Sequence, residues 1–398
     1  MANKTSIHRR HVSSNRAVPK DWKRFARFCY PVALVGAIRF VGAIWIYHLL
    51  STGGQFQTAW TVVNPSLIPE WKSALNPTSS STWLWLFNAW DSPHFQLIAQ
   101  GGYAHPDYAY LPGYPILIRI VGSLLGNYWI GGFVVAQLFA LASVVMFQLT
   151  AEIYMNSKQA LYTTTFMATF PYVMVFTTLS YSEPLFLFCT ISTWYLYKKG
   201  RIGAASIPAA LASVTKIYGI AIIIPILADM LHSKKYGELR YLAIPAASLT
   251  SWFVYCYFTA GDAFASLTDE KWFTSNIASK FSLAQTIFNE LTKGLGGRVP
   301  VPYFIDAPVL ILICLFAYLV ERTWQMDRVL ATFPLVVSGV LIFTVTNHFS
   351  LLRYLIFLFP IWLTLKVKNQ FFVVACVVLF IPVTLLLWLY AINVTFIG

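Results

Sequence analysis

The sequence predicts an all-α polytopic membrane protein with about 11 transmembrane helices and a large first external loop that carries interfacial helices. Of the 398 residues, 58% are hydrophobic and only 11% are charged, whereas about a quarter of the residues in a soluble domain are charged. So small a polar fraction cannot cover the surface of a water-soluble globule. The composition therefore excludes a soluble enzyme, a disordered protein and a secreted disulfide scaffold.

Eleven apolar runs are candidates for spanning helices, because a full span needs about 20 apolar residues. The first run, residues 31–50, contains Arg39, which must face protein or a cavity. The other ten runs are residues 129–154, 160–177, 184–197, 204–214, 218–231, 241–259, 307–320, 329–346, 351–365 and 371–396. Runs 204–214 and 218–231 are short for full spans, and the irregular backbone between them can lie at membrane depth only where it lines a cavity.

The distribution of Lys and Arg predicts the orientation of these helices. Residues 1–29 carry eight of the 28 Lys and Arg, and we interpret them as a basic cytoplasmic tail rather than a nucleic-acid-binding arm. With that start, the cytoplasmic segments hold 19 Lys and Arg and the external segments hold 8. Reading 111–126 as a further span would place the basic stretch 198–201 outside, so that span is rejected.

This partition defines the predicted organisation of the chain. A transmembrane module, 30–370, follows the tail and contains two large external loops, 51–128 and 260–306. A C-terminal transmembrane helix, 371–398, completes the chain. Short interfacial helices are expected within the first loop at 83–89 and 116–125, because Trp and Tyr favour the membrane–water boundary.

Ionisable residues gather on the external side of the partition, and residues of this kind at membrane level are functional candidates by default. They are Asp91, His94, His105, Asp107, Glu183, Lys216, His348 and Arg353. Their common depth predicts a cavity that opens outward. No Walker A, HExxH or GxSxG motif is present, so nucleotide-driven and zinc-hydrolase chemistry lack sequence support.

Asp91 is the candidate catalytic base. Ser92 and Pro93 favour the start of a short helix that ends at Gly101-Gly102, and the helix dipole there favours an ionised carboxylate. Such a carboxylate can accept a proton from a sugar hydroxyl. The same position also suits a residue that only caps the helix, and Glu183 has the same two interpretations.

The other ionisable residues leave alternatives open. His94, His105 and Asp107 lack the tight spacing of a metal site, so no metal is predicted, and interfacial histidines with polar partners are the expected alternative. Lys216 and Arg353 lie at outer helix ends and each needs an anion. That anion is either a protein carboxylate or a lipid phosphate, which Arg binds well through two hydrogen bonds.

Several blocks of this sequence resemble the GPI mannosyltransferase 2 (PIG-V-like) family of the glycosyltransferase C (GT-C) superfamily. The blocks are Trp90-Asp91-Ser92-x-His94-Phe95-x-x-Ile98-Ala99-x-x-Gly102-Tyr103, Leu111-Pro112-Gly113-Tyr114-Pro115, Tyr181-Ser182-Glu183-Pro184-Leu185-Phe186, Thr215-Lys216, and Ser350-Leu351-Leu352-Arg353-Tyr354 followed by Phe359-Pro360. They occur in the expected order between about residues 30 and 370. The first block is the most specific of the five.

The resemblance implies a GT-C membrane fold, a polyprenyl- or dolichyl-phosphate-linked sugar donor, usually of mannose, and inversion at the anomeric carbon. The family's catalytic carboxylate corresponds to Asp91. We expect Arg353 and Lys216 to bind the donor phosphate. The cavity is expected to be lined by His94, His105, Asp107, Tyr181, Glu183, His348 and Tyr354.

The expected partners are the lipid-linked donor, a glycan or glycolipid acceptor and the bilayer, without nucleic acid. No cofactor is required, and a divalent metal is compatible with the site but is not predicted. The compact length favours a prokaryotic cell membrane over the endoplasmic reticulum. The competing interpretation is a secondary transporter or lipid-carrier flippase, and a third is a non-catalytic subunit of a glycosylation complex.

Overall fold

The computed structural model describes residues 20–52, 82–269, 303–344 and 348–393. In these four stretches the regular elements are α-helices and short 3-10 helices, and no described residue lies in a β-strand. The predicted all-α class is therefore confirmed. Parts of both large loops, residues 53–81 and 270–302, and the first 19 residues of the basic tail lie outside the described residues.

The α-helices follow one another along the described chain as follows. They are α1 (Lys20–Thr52), α2 (Ser92–Gly101), α3 (Gly113–Leu125), α4 (Tyr128–Tyr154), α5 (Ser157–Thr169), α6 (Pro171–Thr178), α7 (Glu183–Lys198), α8 (Ile202–Ser213), α9 (Ile223–His232), α10 (Ala243–Ala260), α11 (Tyr303–Met326), α12 (Arg328–Thr344), α13 (His348–Ile356), α14 (Pro360–Leu363) and α15 (Gln370–Asn393). The 3-10 helices are Thr82–Phe87, Asp107–Ala109, Ile217–Ile222 and Tyr236–Leu242.

Four helical stretches in the described part of the chain are long and apolar enough to cross a membrane. They are Phe25–Leu49, Tyr128–Tyr154, Tyr236–Ala260 and Gln370–Ile392. Helices α6 and α7, bent by 110°, supply a fifth if the pair is one broken span. These helices support an integral membrane protein, whereas the predicted number of 11 spans is not confirmed. Helix α1 begins at Lys20, so residues 20–29, which were predicted as part of the basic tail, form the first turns of this helix.

Two of the predicted apolar runs are divided at prolines. The run 160–177 breaks at Phe170, whose backbone is outside the helical region (φ −59°, ψ 130°). Phe170 precedes Pro171, and the ring of a proline disfavours helical geometry in the residue before it. The run 351–365 is likewise split, because α13 ends at Ile356 and Pro360 opens α14. The prediction of one continuous helix in each run was wrong.

The first external loop contains helices, but their lengths differ from the prediction. A 3-10 helix, Thr82–Phe87, takes the place of the helix expected at 83–89, and α3 begins three residues before the predicted 116. Helix α3 packs closely on α4, since a Cβ added to Gly131 would lie 2.7 Å from the Gly122 nitrogen. Its other face exposes Ile116, Ile120 and Leu124 at four-residue spacing, which suits contact with lipid.

Three segments predicted to share one side of the membrane meet at one end of the bundle. Asp327, in the α11–α12 turn, lies 3.0 Å from Lys198 Nζ at the end of α7. The hydroxyl of Tyr154, the last residue of α4, donates to Asp327 at 2.8 Å. The contacts agree with the relative placement of these segments. Their assignment to the cytoplasmic side stays a prediction.

Candidate active site

Asp91, Glu183, Lys216 and Arg353 form a single charged cluster. Arg353 Nη1 lies 3.0 Å from Asp91 Oδ2, and Arg353 Nε lies 3.3 Å from Glu183 Oε1. Lys216 Nζ lies 3.0 Å from the same Glu183 oxygen. Two cations therefore balance two carboxylates. Asp91 and Arg353 are 262 positions apart in the chain, so helix packing rather than local sequence assembles the cluster.

The four members of the cluster differ in accessibility. The side chains of Glu183 and Arg353 are 2% and 4% exposed, and that of Lys216 is 12% exposed. The Asp91 side chain is 21% exposed. Charges that are buried this deeply need compensating partners, and the cluster provides them. Asp91 is its most accessible member.

The backbone around Asp91 turns the carboxylate away from a capping role. Asp91 is the N-cap residue of α2, yet its side chain makes no capping hydrogen bond. Ser92, the expected cap, is already helical, and its hydroxyl accepts from the Ala89 N–H at 3.3 Å. The preceding Trp90 has a left-handed backbone (φ 57°) and its indole donates to the Ala391 carbonyl at 3.2 Å. The Asp91 side chain therefore does not cap α2 and pairs with Arg353 instead.

Glu183 follows the same pattern at the start of α7. Ser182 occupies the N-cap position without a side-chain capping bond, and the Glu183 carboxylate pairs with Lys216 and Arg353 instead. A protein carboxylate is therefore a partner of both cations, and binding of a lipid phosphate stays a prediction.

Tyr110 connects Asp91 to a second polar pair. Its hydroxyl donates to Asp91 Oδ1 at 3.3 Å, and its ring stacks on His94 with centroids 4.7 Å apart. His94 Nδ1 in turn lies 2.6 Å from Asp107 Oδ1. Burial, reinforced by the charge on Asp91, raises the pKa of Tyr110 well above its ordinary value, so the hydroxyl stays a donor. Asp91 thus lies between the cations and the His94–Asp107 pair.

His105 belongs to a different contact. Its Nδ1 lies 2.8 Å from Asp269 Oδ1, and Asp269 Oδ2 accepts from the Tyr108 N–H at 3.1 Å. Asp269 was not identified from the sequence, because it follows α10 with no motif around it. Within the described ranges no three His, Cys, Asp or Glu side chains come together as metal ligands. The side chain of His348, at the start of α13, lies outside the described residues.

Aromatic rings surround the guanidinium group of Arg353. Its central carbon lies 5.0 Å from the ring centroid of Tyr354, 5.5 Å from Tyr181 and 5.4 Å from Phe176, distances at which cation–π attraction operates. The Tyr181 hydroxyl also accepts from the Asp91 N–H at 3.4 Å. Tyr181 and Tyr354 were predicted as site residues, whereas Phe176 was missed among the other apolar residues of its run.

The irregular backbone predicted near Lys216 is present, and Gly113 packs directly against it. Helix α8 ends at Ser213 and Lys216 is extended, which confirms the expected break in the helix. The Gly113 N–H donates to the Val214 carbonyl at 2.6 Å. A Cβ at position 113 would lie 2.6 Å from Thr215 Oγ1, so only glycine fits here. The block 111–115 is therefore in backbone contact with Val214, which directly precedes the Thr215-Lys216 block and lies 101 positions after Gly113.

The family model described as mannosyltransferase (PIG-V) matches residues 55–243 of the chain. The resemblance to the PIG-V family is confirmed over this segment. The segment contains Asp91, His94, Asp107, Glu183 and Lys216 of the candidate site. Arg353 lies beyond its end and joins the site through the fold.

Curated relatives of the chain are the GPI alpha-1,6-mannosyltransferase 2 proteins of Mus musculus and Cricetulus griseus. Each is 30% identical to this chain over 167 residues, which is 39% of this chain. The match spans only 33% of the length of each relative.

Similar solved structures include two of ArnT from Cupriavidus metallidurans. The structure bound to undecaprenyl phosphate gives a TM-score of 0.46 at 14% identity, covering 74% of this chain and 59% of that chain. The apo structure gives a TM-score of 0.43 at 13% identity, covering 74% and 58%.

Proposed function

We propose that this protein is a membrane glycosyltransferase of the GT-C type. It transfers a sugar, with mannose expected, from a polyprenyl- or dolichyl-phosphate carrier to a hydroxyl of a glycan or glycolipid, with inversion. The observation that carries the proposal is the accessible Asp91 carboxylate between two cations and a His–Asp pair, within a segment that matches the mannosyltransferase family. The proposal includes about 11 membrane segments, a cytoplasmic N-terminus and an external site in a prokaryotic cell membrane, the endoplasmic reticulum being the alternative.

Lys216 and Arg353 form the donor side of the proposed site. A polyprenyl phosphate is a competent leaving group because it departs as an anion, so the protein must mainly position it and stabilise its growing charge. The two cations meet at one oxygen of Glu183 and can serve one phosphate together. Arg353 adds the planar pair of donors that suits phosphate oxygens.

Asp91 is the proposed base. The acceptor oxygen forms a bond to the anomeric carbon while the bond from that carbon to the phosphate oxygen breaks, and its electron pair leaves with the phosphate. The hydroxyl proton goes to Asp91. Arg353 contacts Asp91 Oδ2 at 3.0 Å. A donor phosphate competes for Arg353 and releases that oxygen, so the base becomes available when the donor is in place.

The His94–Asp107 pair forms the acceptor side of the proposed site, because Tyr110 connects it to the Asp91 oxygen that does not contact Arg353.

Replacing Asp107 with Asn is expected to raise the acceptor KM about tenfold, the usual effect of losing one charge-assisted hydrogen bond. The donor KM is expected to stay within about twofold. Steady-state kinetics with each substrate varied in turn measures both constants. Asp262→Asn is the matched control, since Asp262 bonds only within its own loop among the described contacts. A larger rise in donor KM than in acceptor KM would contradict the assignment.

The test of the function is covalent transfer by the purified protein in liposomes. Labelled polyprenyl-phosphate mannose and a panel of glycolipid acceptors are supplied, and lipid products are analysed by mass spectrometry. We expect a mannosylated acceptor with the inverted anomeric configuration. The scheme uses no metal, so transfer is expected to continue in EDTA. Accumulation of solute or carrier lipid across sealed vesicles without covalent product would instead support the transporter or flippase.

A further inference from the structure

Arg39 is a buried charge that the proposed chemistry does not use. It lies in the first apolar helix, α1, and only 7% of the residue is exposed. Among the described residues, no carboxylate is within ion-pair distance of it; its described partners are the neutral side chains of Gln137 and Thr177. A cation inside a membrane span is unfavourable without a compensating interaction. Its surroundings therefore need an explanation.

The contacts of Arg39 converge on the end of helix α6. Its Nη2 donates to the Thr177 hydroxyl at 2.5 Å and its Nη1 donates to Gln137 Oε1 at 3.0 Å. Gln137 Nε2 donates in turn to the Thr178 carbonyl at 2.7 Å. Thr177 and Thr178 are the last two residues of α6. The carbonyl end of a helix attracts cations and hydrogen-bond donors, and Arg39 with Gln137 supplies both.

This helix end is also the start of the 110° bend between α6 and α7. Residues 179–182 form the bend and lead into Glu183. Beyond the contacts of Arg39 and Gln137 along the chain, the Ser180 N–H donates to the Phe87 carbonyl at 2.7 Å. Within the bend, the Tyr181 hydroxyl accepts from the Asp91 N–H at 3.4 Å. A short segment with contacts at both ends therefore carries Tyr181 and leads directly into Glu183, and both residues contact Arg353.

We propose that Arg39 is a positioning residue, which fixes the α6–α7 bend and thereby holds Tyr181 and Glu183 against Arg353. Its positive charge and its fork of donors act on the helix end, not on any substrate. The effect on turnover rests on the proposed glycosyltransferase function. The effect on the bend does not, and it is measured separately.

Hydrogen–deuterium exchange of the full-length protein in nanodiscs tests the positioning. In Arg39→Gln, the amides of residues 179–183 are expected to exchange about tenfold faster than in the wild type, because one anchor of the bend is lost. Arg39→Lys, which keeps the charge, is expected to restore part of the protection. The matched control is Gln148→Leu, which removes a buried polar side chain of α4 that has no hydrogen-bond partner among the described residues. It is expected to leave the bend unchanged.

If Arg39→Gln fails to fold, Thr177→Val decides, since it removes one described contact of the guanidinium group and keeps the cation. Unchanged exchange at residues 179–183 in the folded variant would overturn the proposal. So would an equal increase in Gln148→Leu, because that result would mean general loosening of the bundle.

Turnover provides the second readout. Arg39→Gln is expected to lower kcat about tenfold, and combining it with Glu183→Gln is expected to lower kcat by less than the product of the two single effects, since both disturb one structural unit. Multiplicative effects would refute the link to Glu183. If the wild type transfers no sugar, the proposed function fails, while the exchange result still decides the role of Arg39 at the bend.

Discussion

Asp91→Asn is expected to lower the rate of sugar transfer about 10³-fold, which is within the range for loss of a general base. Asparagine has nearly the same shape. Its side-chain oxygen can still accept from Arg353 and its amide nitrogen can donate to the Tyr110 hydroxyl, so the cluster keeps most of its geometry. What it loses is the ability to take the proton of the acceptor hydroxyl. The measurement is the single-turnover rate in nanodiscs with the lipid-linked sugar supplied at saturation.

Two controls separate chemistry from folding in this experiment. In Asp91→Asn the thermal midpoint is expected to stay close to the wild-type value. The affinity for polyprenyl phosphate is expected to be at least that of the wild type, because Arg353 no longer pairs with a competing carboxylate. Asp262→Asn makes the same chemical change where the described side-chain hydrogen bonds are local, and it is expected to transfer at the wild-type rate. Normal transfer by Asp91→Asn would remove Asp91 from the role of base and leave the proposed mechanism without its proton acceptor.

The sequence predicted the members of the charged cluster better than the contacts among them. Asp91, Glu183, Lys216 and Arg353 were identified because each is an ionisable residue at a helix end, and their motifs resemble one family. Which cation meets which carboxylate depends on how helices far apart in the chain pack together, and no local pattern contains that information. The joint pairing of Glu183 with both cations is the clearest example.

Uncharged residues that contact the site or its supporting helix end were missed for a related reason. Tyr110 and Gln137 look like ordinary interfacial or apolar-run residues in the sequence. Only the structure shows one donating to Asp91 and the other to the end of α6. Arg39 was correctly expected to face protein, since a charge in a span cannot face lipid, but its partners could not be named.

The number and continuity of the spans were harder to predict than the helical class. Hydropathy measures the length of an apolar run, and a run stays apolar where the backbone bends. The break at Phe170-Pro171 had a local signal, because proline restricts the residue before it. The 110° bend between α6 and α7 also has a proline nearby, Pro184. Its angle, however, is set by contacts with other helices.

Arg353→Ala is expected to lower kcat/KM for the lipid-linked donor about 100-fold, consistent with losing two charge-assisted hydrogen bonds to a phosphate. The acceptor KM is expected to change by less than about threefold, since the acceptor is proposed to bind on the far side of Asp91. Because this change leaves Lys216 as the one described cation of the cluster beside two carboxylates, the thermal midpoint is expected to fall as well.

Arg353→Lys separates the charge from the geometry of the guanidinium group. It keeps a cation beside both carboxylates, so the fold is expected to be retained, while donor kcat/KM still falls about tenfold because lysine lacks the planar fork. The matched control is Arg322→Ala, which removes an exposed arginine near the C-terminal end of α11. It is expected to behave like the wild type. The contradicting result has two parts: Arg353→Lys binds polyprenyl phosphate with wild-type affinity, and kcat/KM falls to the same extent for donor and acceptor. In that case Arg353 holds the cluster together and the donor phosphate must bind elsewhere.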